Sequence, residues 1–130
     1  MAMTKCNAQN SAHQRLLHLF NKGNAELAHG DLKSAYKSFH SALHEDSKVP
    51  EIHYNLGLVL HRMRRYAEAA ESYQNSLSLN PNSDQPYVHL AICMEELGRG
   101  SDAFLYYDKC LLLNPNNSSA HHNLGLYLGK

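Results

Sequence analysis

Apolar and polar positions along this chain alternate with the spacing of amphipathic helices, and the arrangement returns every 34 residues. In one period, Leu56, Leu60 and Met63 fall three or four positions apart, so they share one face of an α-helix. After a short connector, a second apolar series runs from Tyr66 to Leu79 and stops before a proline. The pattern predicts two helices in each period, joined by a tight turn.

Equivalent positions of successive periods carry the same kind of residue, which indicates internal repeats. The recurring set comprises a small residue at Gly23, Gly57, Ala91 and Gly125, alanine at Ala35, Ala69 and Ala103, an aromatic at Phe39, Tyr73 and Tyr107, and leucine at Leu43, Leu77 and Leu111. Three full units fit without insertion at residues 16–49, 50–83 and 84–117, and a partial unit of one helix occupies 118–130. Because a helix pair cannot bury its apolar face alone, we expect an all-α solenoid of stacked antiparallel helix pairs.

This repeat resembles the tetratricopeptide repeat over residues 16–130. The residues at the family's signature positions are Asn55-Leu56-Gly57, Ala69, Tyr73, Leu77 and Pro81. The resemblance implies a single repeat domain over residues 11–130. It also implies a non-catalytic protein–protein interaction module, in which the first helix of each unit lines a concave groove for a partner peptide or helix.

The N-terminal segment departs from the repeat. Residues 1–10 are polar and without period, so we predict that they are disordered. Ser11 and Gln14 resemble a capping box, which predicts that the first helix begins beside them.

Two sets of residues predict contacts between or along helices. Gly57 and Ala69 lie on facing helices of one pair, and their small size is expected to let the two axes approach closely. In the first unit, Lys22 and Glu26 replace leucine or methionine residues of later units, and their spacing of four predicts an ion pair on the helix surface.

The register of the family assigns the partner-binding groove to particular side chains. The apolar members are Phe20, Tyr54, Leu58, Val88 and Ile92, joined by Leu126, and the polar members are Asn21, Asn24, Asn55, His89, His122 and Asn123. An exposed apolar stripe of this kind is typical of a binding surface.

Asparagine recurs at one position of this groove, at Asn21, Asn55 and Asn123, with His89 interrupting the row. The row is similar to the asparagine ladder in the tetratricopeptide arm of the protein O-linked N-acetylglucosamine transferase. An amide both donates and accepts, so such a ladder suits the backbone of an extended peptide. The alternative interpretation is that asparagine at this position only helps the helices to fold.

A second family pattern, the carboxylate clamp, binds the acidic C-terminal tails of heat-shock chaperones with two asparagines and three cationic side chains. The matching positions here are Phe20, Asn24, Asn55, Gln85 and His89. Both asparagines agree, but none of the other three is a lysine or arginine. Carboxylates need fixed cations for charge-assisted hydrogen bonds, so the sequence argues against acidic tails as ligands.

Composition excludes several other function classes. Twelve lysines and arginines balance twelve acidic residues, which is not the charge of a nucleic-acid-binding domain. No stretch approaches the length of a membrane span, and the N-terminus lacks the apolar core of a signal peptide. Cys6, Cys93 and Cys110 show no paired spacing, so we expect free thiols and a cytoplasmic location.

No set of residues predicts catalysis, a cofactor or a metal ion. His40 and His44 are four apart on one predicted helix, but no third ligand accompanies them. His53 and His121 share one repeat position and are expected to pack as half-buried aromatics. We therefore predict that the chain is not an enzyme.

Two further functions fit the same architecture. One is a small tetratricopeptide chaperone that shields a segment of an exported protein. The other is the recognition arm of a larger enzyme or assembly, such as a glycosyltransferase. Leu124 and Leu128 are placed to meet a following helix, which predicts either a fragment or self-association through the C-terminal end.

Overall fold

The computed structural model describes residues 2–128, and it describes the side chains of residues 11–125. Over this range the regular structure consists of seven α-helices: α1 (Ala2–Ala28), α2 (Leu32–Glu45), α3 (Pro50–Arg62), α4 (Tyr66–Leu79), α5 (Gln85–Glu96), α6 (Gly100–Leu113) and α7 (Ser118–Leu128). Each helix packs mainly on its neighbours in the chain, and α1 also contacts α3. The predicted all-α solenoid of helix pairs is therefore confirmed.

The turn inside each helix pair has the same backbone conformation in all three units. Gly30, Arg64 and Gly98, spaced 34 residues apart, have φ angles of 79°, 62° and 76°. The amide after each one donates to the carbonyl five residues earlier, from Asp31 to Glu26, from Arg65 to Leu60 and from Arg99 to Met94, at 2.7–2.9 Å. This is the Schellman arrangement, and Arg64 adopts it at a cost of about 1 kcal/mol relative to glycine.

In the first two units, the two helices of the pair approach each other where an aromatic ring lies on a glycine. A Cβ built on Gly57 would lie 2.5 Å from Cε1 of Tyr73, and one on Gly23 would lie 2.7 Å from Cε1 of Phe39. The ring of the second helix, rather than Ala69, therefore occupies the space next to Gly57. Tyr73 and Phe39 are completely buried, so these rings are the centre of the core.

The first helix begins earlier than expected. It starts at Ala2, whereas we predicted disorder for residues 1–10. The segment contains two alanines and two methionines and no glycine or proline, so nothing in it interrupts a helix. Ser11 and Gln14 lie inside α1 and do not form the predicted capping box.

The predicted pair of Lys22 and Glu26 is present, with Nζ 3.3 Å from Oε2. The hydroxyl of Ser38 on α2 also donates to Oε1 of Glu26 at 2.5 Å. The carboxylate of Glu26 therefore connects the two helices of the first unit.

A polar contact between loops holds the last helix in place. The carboxylate of Asp84 accepts hydrogen bonds from the side-chain amides of Asn114 at 3.0 Å and Asn117 at 2.7 Å. These bonds lower the pKa of Asp84. Asn117 in turn accepts the backbone N–H of Ala120 at 2.9 Å, so its side chain caps α7.

We predict that Gly57→Ala destabilises the chain by about 1–3 kcal/mol, because the new methyl group overlaps the buried Tyr73 ring. Helix propensity alone would predict that the substitution stabilises the chain, since alanine is the better helix former. Gly125→Ala is the matched control, because a Cβ there meets nothing within 4 Å. Urea unfolding of both variants checks this, and equal midpoints for the two would contradict the ring-on-glycine packing.

Candidate functional site

The first helices of the three units present one continuous surface. The Nδ2 of Asn55 on α3 donates to Oδ1 of Asn24 on α1 at 2.7 Å. The guanidinium of Arg62 on α3 donates to the carbonyl of Leu27 on α1 at 3.1 Å. We call this surface the first-helix face and define it by Leu17, Phe20, Asn21, Asn24, Glu51, Tyr54, Asn55, Leu58, Gln85, His89 and Ile92.

The predicted groove residues differ in how far they are exposed. Asn21 and His122 are exposed, whereas Phe20, Asn24, Tyr54, Asn55, Leu58, His89, Ile92 and Asn123 are half-buried. Most of them therefore retain surface that a partner can contact. Leu126, expected in the apolar stripe, lies outside the residues whose side chains are described.

Val88 is an exception, and its prediction as a groove residue needs correction. Its side chain is only 2% exposed, so it belongs to the core. Phe20 and Tyr54 occupy the same repeat position and stay partly exposed. A valine is too short to extend past the backbone of its own helix, whereas the two rings reach the surface. In its place Leu17, which is 46% exposed, adds apolar area at the N-terminal end.

The asparagines do not form a uniform row. Asn55 uses one of its amide hydrogens to bond Asn24 on the neighbouring helix. This bond joins two units, which favours a packing role for that pair, the alternative interpretation named above. Asn21 is exposed and Asn123 is half-buried, so these two keep surface for a ligand.

An aromatic cluster lies at the middle of the first-helix face. The His89 ring stacks on Tyr73 with centroids 5.6 Å apart, and its edge meets Tyr54 at 5.6 Å. His61 lies beside it, with ring centroids 6.3 Å apart. Burial, and secondarily the neighbouring His61, lowers the pKa of His89 to about 4, so the ring is neutral at pH 7. Burial also lowers the pKa of His61.

Two cysteines pack in the core behind this face. Sγ of Cys93 lies 3.6 Å from Nδ1 of His61. Burial raises the pKa of Cys93 to about 12 and that of Cys110 to about 11. Both sulfurs therefore stay protonated at neutral pH and are poor nucleophiles.

Two other histidines, His53 and His121, make structural contacts. Nε2 of His53 donates to the carbonyl of Ser47 at 2.8 Å, and Nε2 of His121 donates to that of Pro115 at 2.7 Å. Each bond ties a repeat to the loop before it. His53 is half-buried, as predicted, whereas His121 is exposed. Among the residues that the structure describes, no three histidine, cysteine or acidic side chains converge as they would around a metal ion.

Two cavities open side by side on the first-helix face. One has a volume of about 260 Å³ and is lined by His13, Leu16, Leu17, Phe20, Val49, Glu51 and Ile52. The other has a volume of about 210 Å³ and is lined by Pro50, Glu51, Tyr54, Ser76, Asn80, Ser83, Gln85 and Pro86. They share Glu51, so a segment bound in both would pass its carboxylate.

Comparison with known proteins agrees with this architecture. The family model described as "Tetratricopeptide repeat" matches residues 50–83, the second unit. The second unit is therefore a tetratricopeptide repeat. The other two full units of the repeat protein share the period, the turn geometry and the buried aromatic of the matched unit. No curated protein matches its sequence. None of its helices within residues 2–128 is long and apolar enough to cross a membrane.

Solved tetratricopeptide domains superimpose closely on the repeat protein. The first such domain of Spaghetti (RPAP3), bound to the HSP90 peptide SRMEEVD, is 23% identical with a TM-score of 0.85, over 89% of this chain and 92% of that one. The second domain of human RPAP3, in complex with an HSP70 peptide, is 18% identical with a TM-score of 0.87, over 92% and 99%. The Arabidopsis OM64 domain is 15% identical with a TM-score of 0.88, over 91% and 98%. At these identities the likeness establishes the fold.

We predict that His89→Asn and His89→Phe both reduce the loss of stability on acidification. The pKa of His89 falls from an ordinary 6.5 to about 4 in the folded chain, so the unfolded chain binds more protons between these values. The contribution of His89 to the free energy of unfolding is therefore complete above pH 6.5. It declines toward pH 4 by on the order of 2 kcal/mol. Thermal melts from pH 7 to pH 4.5 measure the effect. His61 is present in both variants, so a smaller dependence of stability on pH remains. Melting temperatures that fall with pH in parallel with those of the wild type would contradict a buried neutral His89.

Proposed function

We propose that this repeat protein is a non-catalytic interaction module that holds a segment of a partner protein against its first-helix face. The observation that carries the proposal is the apolar surface there. Leu17 is 46% exposed, and the rings of Phe20 and Tyr54 remain partly exposed above two cavities. Apolar side chains that form a concave, partly open surface are the usual contacts for a partner chain.

Rigidity of this face supports the proposal. Tyr54 packs against the buried Tyr73 at 5.8 Å, and Asn55 is bonded to Asn24, so these side chains are held before a ligand arrives. A preorganised surface loses little side-chain entropy on binding. Tyrosines and other aromatics at the centre of an interface also tend to contribute most of its binding energy.

The solved domains of RPAP3 and Spaghetti bind peptides of HSP90 and HSP70, which supports a peptide as the class of partner. Acidic tails are not the ligand that we propose for this chain. At the three positions where the clamp pattern has cations, this chain carries Phe20, Gln85 and a neutral His89. A chaperone role for an exported protein, self-association and a cytoplasmic location stay predictions.

Peptides selected from a random twelve-residue phage library on the full chain test this function. We predict that Tyr54→Ala weakens their binding by about tenfold or more, because truncating a central aromatic typically costs an interface at least about 1.4 kcal/mol. Tyr106→Ala is the matched control, since it removes another half-buried tyrosine from a second helix, α6. Isothermal calorimetry gives the affinities, and circular dichroism confirms folding. Equal weakening by both variants, or by neither, would contradict the proposal.

A further inference from the structure

We propose that the first-helix face anchors its partner by one bulky apolar side chain, inserted into the 260 Å³ cavity between α1 and α3, and that the partner segment beside this anchor is basic. We call the cavity lined by His13, Leu16, Leu17, Phe20, Val49, Glu51 and Ile52 the anchor cavity. The proposal rests on the proposed function and specifies the chemistry of its ligand.

The lining of the anchor cavity selects an apolar group. Five of its seven lining residues are leucine, phenylalanine, valine or isoleucine, and they come from both units that meet there. An enclosed apolar cavity of about 150 Å³ is large enough for benzene. A volume of about 260 Å³ therefore accommodates a leucine, phenylalanine or tryptophan side chain. Leu17 leaves 46% of its surface open here, and an inserted side chain would cover it.

The neighbouring cavity is more polar than the anchor cavity, although Pro50, Tyr54 and Pro86 also line it. Its lining includes Ser76, Asn80, Ser83 and Gln85 beside Tyr54. A segment that fills the anchor cavity and continues along the face would meet hydroxyl and amide groups next, which suit its backbone or polar side chains. The order of the two cavities therefore defines the direction in which a partner segment lies on the face, as well as the site of its apolar anchor.

Charge selects a basic rather than an acidic segment. Glu51 lines both cavities and is exposed. The guanidinium of Arg62, on α3, is already bonded to the carbonyl of Leu27. A lysine or arginine next to the anchor can pair with Glu51, whereas an aspartate or glutamate would face a carboxylate. Repulsion between like charges in contact strongly disfavours binding of an acidic segment.

The composition of the selected library peptides is the first readout. At about 150 mM salt we expect one leucine, isoleucine, phenylalanine or tryptophan at a shared position, with lysine or arginine within the next few residues. Selected peptides that are acidic, or that lack a shared bulky apolar position, would overturn the proposal.

Substitutions in the anchor cavity are the second readout. We expect Leu17→Glu to weaken the selected peptides at least tenfold and Glu51→Gln to weaken them about threefold, mainly at low salt. Leu105→Glu is the matched control, because Leu105 is 57% exposed on α6 and lies outside both cavities. It should bind as the wild type does, and all three variants should melt cooperatively because the replaced side chains are exposed.

The two proposals fail in different ways. Peptides that lose affinity with Tyr54→Ala but bind Leu17→Glu as tightly as wild type would overturn the anchor cavity and leave the interaction function standing. Peptides unaffected by Tyr54→Ala and by Leu17→Glu would overturn both. Tighter binding to Glu51→Gln than to wild type would overturn the assignment of a basic segment.

Discussion

Close packing of an aromatic ring on a glycine fixes the distance between the two helices in each of the first two repeats, and the rest of the structure depends on it. The contact occurs twice, between Tyr73 and Gly57 and between Phe39 and Gly23, where no side chain larger than hydrogen fits. The Tyr73 ring also supports the surface, since Tyr54 and His89 both pack against it. One buried ring therefore sets the helix spacing and positions the aromatic side chains of the candidate site.

Much of this fold follows from the sequence, because the 34-residue period repeats the same packing requirement. Helix pairs, the turns between them and the buried aromatics all occupy equivalent positions in each unit. What the period could not predict depends on single side chains. Arg64 adopts a left-handed conformation where the other units have glycine, and Asp84 connects two loops through Asn114 and Asn117. Such contacts join residues about 30 positions apart and leave no periodic signal.

The candidate site was predictable to a similar degree. The repeat register gives the direction of each Cβ, and in the structure Tyr54 and Asn55 both keep part of their surface exposed. It does not give the reach of a side chain, which is why Val88 proved to be buried. The register also cannot tell that Asn55 bonds Asn24 or that His89 is neutral. A shared fold does not define a shared ligand, so such side-chain properties have to be taken from this chain's own structure.

We propose that the partner binds the first-helix face and no other part of the described surface. Backbone amide chemical shifts of the full chain, recorded while a selected library peptide is added, distinguish between these surfaces. We expect the largest shifts in α1, α3 and α5, around Leu17, Glu51 and Tyr54, and small shifts in α2, α4 and α6. Large shifts confined to those second helices would contradict it.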